Sequence, residues 1–182
     1  MEAYLGIDVG SVTTKLAVLD ENDELVTNIY RLTEGKPIEM VQQGLKQIKQ
    51  QLPEDIHICG VATTGSARYL AGVIVGADLV KNEITSHAVA TLQYLPEAQT
   101  IIEIGGQDSK IIIIRDGVVT DFGMNTVCAA GTGSFLDHQA LRLNMSIDEF
   151  SRRALASDAT VHIAGRCTVF AESDMIHKQQ MG

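Results

Sequence analysis

Two thiols and two glycine-rich turns hold the residues of this chain best suited to chemistry. Cys128 and Cys167 each stand beside the start of a helix, in Asn125-Thr-Val-Cys128-Ala-Ala-Gly131-Thr132-Gly133 and in Gly165-Arg-Cys167-Thr-Val-Phe-Ala-Glu172-Ser-Asp174. A helix N-terminus lowers a thiol pKa and favours a metal ligand. Spacing alone leaves two unrelated buried thiols as an equal alternative. Two thiolates are too few for an iron–sulfur cluster, which takes about four. A twofold dimer repeats one patch on both subunits and so doubles them. Cys59, in His57-Ile-Cys59-Gly-Val-Ala, reads instead as a small hydrophobe of a buried strand.

The turns form an internal repeat. Ile7-Asp8-Val-Gly10-Ser11-Val12-Thr13-Thr14-Lys15-Leu16 aligns at an offset of 95 with Ile102-Glu103-Ile-Gly105-Gly106-Gln107-Asp108-Ser109-Lys110-Ile111. Acid, glycine, hydroxyl, lysine and the flanking apolar residues coincide. Backbone N–H groups of such turns can cradle phosphate, with hydroxyls and a lysine adding donors and charge. The binding candidates are Gly10, Ser11, Val12, Thr13, Thr14 and Lys15 in one turn, and Gly105, Gly106 and Gln107 in the other. Asp8 and Glu103 are candidate catalytic acids that face Mg²⁺, through water. Gln107 and Asp108 are candidates to orient an attacking water. Alone, either segment could be a plain polar hairpin, and Asp108 could merely cap its turn. Two copies facing one another would make a phosphate clamp. Both turns lead into strands, so neither is a Walker loop or a dinucleotide fingerprint. Gly131, Thr132 and Gly133 add a third candidate anion site at a helix N-terminus.

Alternating and helical periodicities supply the elements that must position these residues. Each unit begins strand, turn, strand, turn, strand, with strands expected at Lys15 to Asp20, Leu25 to Leu32, Lys110 to Arg115 and Val118 to Phe122. Helices are expected at Pro37 to Leu52, Ile84 to Leu95, Thr132 to Asn144 and Thr168 to Gln180. Another begins at the capping box Ser146-Ile-Asp-Glu149. His57 to Thr63 reads as a buried strand, followed by a turn through Gly65 into a short helix near Arg68. Ala159 to Ala164 is the β-like stretch available to close the second sheet. His87, early on a helix, suits a cleft and a core equally. The hinge is expected near Pro96 to Gln99, giving units 1–96 and 97–182.

A net charge of −9 argues against nucleic acid. No apolar run approaches the roughly 20 residues of a membrane helix. The chain opens directly on a strand pattern, so no secretory signal is expected. Three widely spaced cysteines make no disulfide framework. A cytoplasmic protein is expected.

With these residues in place, the chain resembles the activators of 2-hydroxyacyl-CoA dehydratases and their benzoyl-CoA reductase ATPase relatives. These belong to the superfamily of acetate and sugar kinases, heat-shock chaperones and actin. The resemblance rests on Gly6 to Lys15, Ile104 to Lys110, Phe122 through Gly133, and Arg166 to Asp174. It implies an α/β, actin-like (ribonuclease H-like) ATPase fold: two βββαβα-type units facing a nucleotide cleft. It implies a homodimer holding one [4Fe–4S] cluster between subunits through Cys128 and Cys167, with Mg²⁺ and ATP or ADP bound in each subunit. ATP hydrolysis would drive one low-potential electron into an iron–sulfur dehydratase or reductase of CoA thioesters, with a ferredoxin or flavodoxin as donor. Glu103 stands where the family usually shows Asp, and Thr126-Val127 where a more charged pair is common. The family's adenosine-contacting segment is expected beyond Gly182, so the second unit is expected to be C-terminally incomplete, with a partly uncovered apolar face. Two other classes fit the turns. One is a small-metabolite kinase, which needs a substrate-binding insertion for which this chain has no room. The other is a non-catalytic nucleotide-sensing module.

Overall fold

A computed structural model describes residues 1–125, 132–165 and 167–181. The chain divides into two compact units: Met1–Gln99 with Ile114–Thr120, and Thr100–Ile113 with Asp121–Gly182.

The first unit is a five-stranded mixed sheet in the order β3-β2-β1-β4-β5. Its strands are β1 (Glu2–Val9), β2 (Thr13–Asp20), β3 (Leu25–Leu32), β4 (His57–Thr64) and β5 (Leu79–Val80). β1 pairs antiparallel with β2 and parallel with β4. Strict alternation in β1 puts Ala3, Leu5, Ile7 and Val9 on one buried face, joined by Leu16 and Val18 of β2. Helix α1 (Pro37–Gln51) covers that face with Met40, Val41, Gly44 and Ile48. Gly44 permits the approach, because a Cβ there would lie 2.7 Å from Leu16 Cδ1. Helix α2 (Arg68–Val75) contributes Ala71 and ends on Gly76 in the left-handed conformation. Helix α3 (Glu83–Tyr94) starts on Asn82, whose side chain accepts the Thr85 N–H.

Cys59 departs from its expected burial. It lies on β4 but is exposed. The β1–β4 register pairs Ala3 with Ile58 and Tyr4 with Gly60, so Cys59 is the extra residue of a bulge and is turned out of the core.

A second sheet follows along the chain, of three strands, β6 (Thr100–Ile104), β7 (Ser109–Arg115) and β8 (Val118–Met124), in that order. Asp116 and Gly117 both have positive φ, which matches a two-residue turn between twisted strands. Helices α4 (Gly133–Arg142), α5 (Ile147–Ala156) and α6 (Thr168–Met181) follow. Half of the expected capping box is seen: Ser146 Oγ accepts the Glu149 N–H at 3.2 Å, while the Glu149 carboxylate pairs with Arg152 and Arg153. The strand expected over residues 159–164 is absent, and the segment is irregular. Local bonds compete with pairing there. Ser157 Oγ bonds to both the carbonyl and the N–H of Ala159, and the Ala164 N–H goes to Asp174 Oδ2 at 2.9 Å.

The repeat extends to the sheets but not to their covering. Ile7, Val9 and Leu16 are at most 2% exposed, whereas their counterparts Ile102, Ile104 and Ile111 are 72%, 56% and 44% exposed. The apolar face expected to be uncovered in the second half is therefore present.

Candidate phosphate-binding turns

The first turn joins β1 to β2, and the ladder places Asp8 opposite Lys15. Their side chains meet, with Lys15 Nζ 2.8 Å from Asp8 Oδ2. Lys15 also lies 5.8 Å from the centre of the Tyr30 ring, within cation–π range. The Gly10 N–H closes the turn on Thr13 O at 2.9 Å. Ser11 is exposed at the tip, Val12 and Thr13 are half-buried, and Thr14 is fully buried.

The second turn reproduces this arrangement. Glu103 and Lys110 are ladder partners, 3.0 Å apart at Oε2 and Nζ. The Gly105 N–H closes the turn on Asp108 O at 2.8 Å. Lys110 is also bound by Asp108 Oδ1 at 2.8 Å and is only 5% exposed. Position 105 is crowded, since a Cβ there would lie 2.9 Å from Asp108 Oδ1 and 3.1 Å from the Asp108 carbonyl oxygen. Gln107 is exposed. The Asn125 side chain accepts the Ser109 N–H at 2.7 Å, and its own N–H returns to Ser109 O.

Helix α4 braces the second turn. The N–H groups of Gly133 and Ser134 donate to Gly105 O and Gly106 O at 2.8 and 2.9 Å. Those two amides hold the turn in place. Thr132 is fully buried beside them. Gly131 and Cys128 lie outside the described residues. Cys167 is half-buried just before α6, and its carbonyl accepts the Ala171 N–H, which places it at the helix N-terminus. Among the described residues no group of three or more His, Cys, Asp or Glu could hold a metal ion. None of the described helices is long and apolar enough to cross a membrane.

A groove of about 590 Å³ adjoins the first turn within the first unit. Its floor is Gly6, Ala17, Leu19 and Ala62 of the sheet, its wall Val89 and Tyr94 of α3, and Asp8 and Lys15 belong to its lining. His87 of α3 is half-buried, while its neighbour Ser86 lines the groove and bonds Thr64 Oγ1 at 3.2 Å.

Two residues outside the turn motifs shape the first turn. Thr33, just past β3, donates its N–H to Val12 O and its hydroxyl to Gly10 O, at 2.8 and 2.9 Å. Gly65 has φ +92° and fits so closely against Asp8 and Val9 that any Cβ would overlap Asp8 Oδ1 and the Val9 carbonyl. A threonine closing an apolar strand and a Thr-Gly-Ser turn after another are weak local signals. Their partners lie 19 or more residues away along the chain.

The chain is similar to known proteins. Residues 5–182 match the model of the BadF/BadG/BcrA/BcrD ATPase family. Over 98% of its length the chain is 35% identical to the (R)-2-hydroxyglutaryl-CoA dehydratase activating ATPase of Acidaminococcus fermentans, and it covers 68% of that protein. It is 35% identical, with the same coverages, to the activator of lactoyl-CoA dehydratase of Anaerotignum propionicum. The solved structure of the activator of 2-hydroxyisocaproyl-CoA dehydratase from Clostridium difficile with bound ADPNP superposes with a TM-score of 0.84 at 31% identity, covering 98% of this chain and 66% of that one. The chain thus spans about two thirds of the length of the relatives it matches. Its repeated acid–glycine–lysine turns on an α/β, actin-like scaffold, together with this match, make it a member of the BadF/BadG/BcrA/BcrD ATPase family.

Proposed function

We propose that this chain is an ATP-dependent activator that couples hydrolysis to low-potential, single-electron delivery to a dehydratase or reductase of CoA thioesters. The observation that carries this reading is the repeated turn, in which one acid and one lysine meet across a hairpin closed by glycine, at 2.8 Å and again at 3.0 Å. The relatives named as dehydratase activators and the ADPNP-bound structure support it.

In this reading the backbone of residues 10–14 and 105–107 contacts phosphates. Lys15 and Lys110 supply positive charge, and Lys110 does so from a buried position held by two carboxylates. Asp8 and Glu103 are oxygen donors of the type that Mg²⁺ accepts, through water. Gln107 is exposed at its turn and is suited to orient the attacking water.

The thiols fit a cluster shared between two copies. Cys167 is half-buried at a helix N-terminus. With Cys128 it gives two thiols per chain, which a homodimer makes the four that a [4Fe–4S] cluster takes. When bound, that cluster would supply a single low-potential electron, replenished by a ferredoxin or flavodoxin. The acidic charge suits a cytoplasmic protein that binds no nucleic acid.

Two measurements test the proposal. Purified protein should hydrolyse Mg-ATP, and Asp8→Ala should abolish turnover while leaving the visible spectrum of the reconstituted protein intact. Anaerobic reconstitution with iron and sulfide should load wild type but neither Cys128→Ser nor Cys167→Ser. Full iron retention in either variant removes the shared cluster. Wild-type turnover in Asp8→Ala removes Asp8 from the mechanism.

A further inference from the structure

Thr33 belongs to neither turn motif, yet it touches the first turn three times. Its N–H donates to Val12 O, its hydroxyl donates to Gly10 O, and its Oγ1 lies 2.9 Å from Thr14 Oγ1. Both threonines are buried, Thr14 completely and Thr33 to within 2%. A hydroxyl has a single proton to give. Thr33 spends its proton on Gly10 O, so Thr14 is the donor between the two threonines. The bonds therefore run in one direction, from Thr14 O–H to Thr33 O–H to the Gly10 carbonyl, and each polarises the next.

Peptide geometry turns these bonds into a direction. In a trans peptide the N–H points opposite to the carbonyl of the preceding residue, and the described chain has no cis peptide bond. Drawing Gly10 C=O toward Thr33 turns the Ser11 N–H to the other side. Drawing Val12 C=O toward Thr33 does the same to the Thr13 N–H. One residue thus fixes two alternate peptide planes of the turn. Successive amides presented together on one side of a turn form an anion-binding concavity.

We infer that Thr33 is the positioning residue of the first turn, aiming the Ser11 and Thr13 amides at a nucleotide phosphate. The inference rests on the nucleotide reading above. Thr33 acts through the peptide planes it holds, and its hydroxyl contacts no phosphate. Thr33→Val keeps the side-chain shape, removes the donor, and leaves the Thr14 hydroxyl and the Gly10 carbonyl without their partner. Thr33→Ser keeps the hydroxyl.

Calorimetric titration with Mg-ADP, together with amide NMR of the wild-type chain, tests it. In wild type the Ser11 and Thr13 amide resonances should move as Mg-ADP binds. Thr33→Val should lose affinity by about tenfold, equivalent to ~1.4 kcal/mol, and Thr33→Ser should restore it to within about twofold, since the polar contact and not the methyl carries the effect. Binding by wild type with unmoved Ser11 and Thr13 amides overturns the role of Thr33 and leaves the nucleotide reading standing, whether or not the variants fold. So does equal loss in Thr33→Ser and Thr33→Val. Absence of Mg-ADP and Mg-ATP binding by wild type overturns the nucleotide reading itself, and this inference with it.

Discussion

Lys110 and Glu103 face one another across the β6–β7 ladder as Lys15 and Asp8 do across β1–β2, but the two pairs sit in different surroundings. Lys110 is 5% exposed and held by both Glu103 and Asp108; Lys15 is 37% exposed and paired with Asp8. The same four-residue logic therefore buries the lysine between two partly exposed carboxylates in one turn and leaves an open ion pair in the other.

That contrast predicts unequal costs. Removing the buried Lys110 leaves two partly solvated carboxylates without it, so Lys110→Ala should destabilise the protein by about 2 kcal/mol. Lys15→Ala breaks a partly solvated pair and should cost about 1 kcal/mol or less. Urea unfolding followed by circular dichroism measures both, and equal costs would show that the burial of Lys110 has no energetic consequence.

Gly65 sets the position of Asp8. Its φ of +92° and the lack of room for a Cβ make Gly65→Ala unfavourable on both counts. Strain of this type costs about 1–3 kcal/mol, and its relief requires Asp8 or the Val9 carbonyl to move. Gly65→Ala should therefore lower Mg-ATP turnover more than its stability loss alone accounts for. Comparing turnover with thermal unfolding of the same preparation decides it.

Cys59 is exposed on its bulge, whereas Cys167 is half-buried. In the absence of metal, Cys59 should react before Cys167 with a bulky thiol reagent. Cys59→Ser should keep full iron after reconstitution and lose less than about 0.5 kcal/mol of stability, as exposed substitutions do. Peptide mapping after limited labelling identifies the first thiol to react.

Asp20 predicts a pH dependence. The Glu24 and Asn22 backbone N–H groups both donate to its Oδ1, at 2.9 and 2.8 Å, and hold the carboxyl below its ordinary pKa. A lowered folded pKa means that the contribution to stability is present above the unfolded value of about 3.9 and is lost as pH falls through the folded value. The carbon NMR titration of the Asp20 carboxyl should accordingly have its midpoint below about 3.9. The thermal advantage of wild type over Asp20→Ala should shrink as the solution is acidified below that range.

The sequence by itself determined what depends on near neighbours. The 95-residue repeat located both turns because acid, glycine and lysine lie within eight residues of one another in each. Asp116-Gly117 marked a hairpin because both residues accept positive φ. Ser146 and Glu149 marked a helix start through one local bond. Strands β1 to β3 and helix α1 followed from periodicity, since one face of each is buried. Tertiary structure decided what depends on strand register and on distant partners. Cys59 reads as core in its own strand, and only the slipped register against β1 turns it outward. Residues 159–164 read as strand, but pairing needs a neighbour, and the bonds to Ser157 and Asp174 took its place. Thr33 reads as the end of a strand, and it gains its role only when the folding of β2 against β3 brings it to Gly10, 23 residues away. Local patterns fix dihedral angles, but a side chain's partner is fixed only when the chain closes on itself.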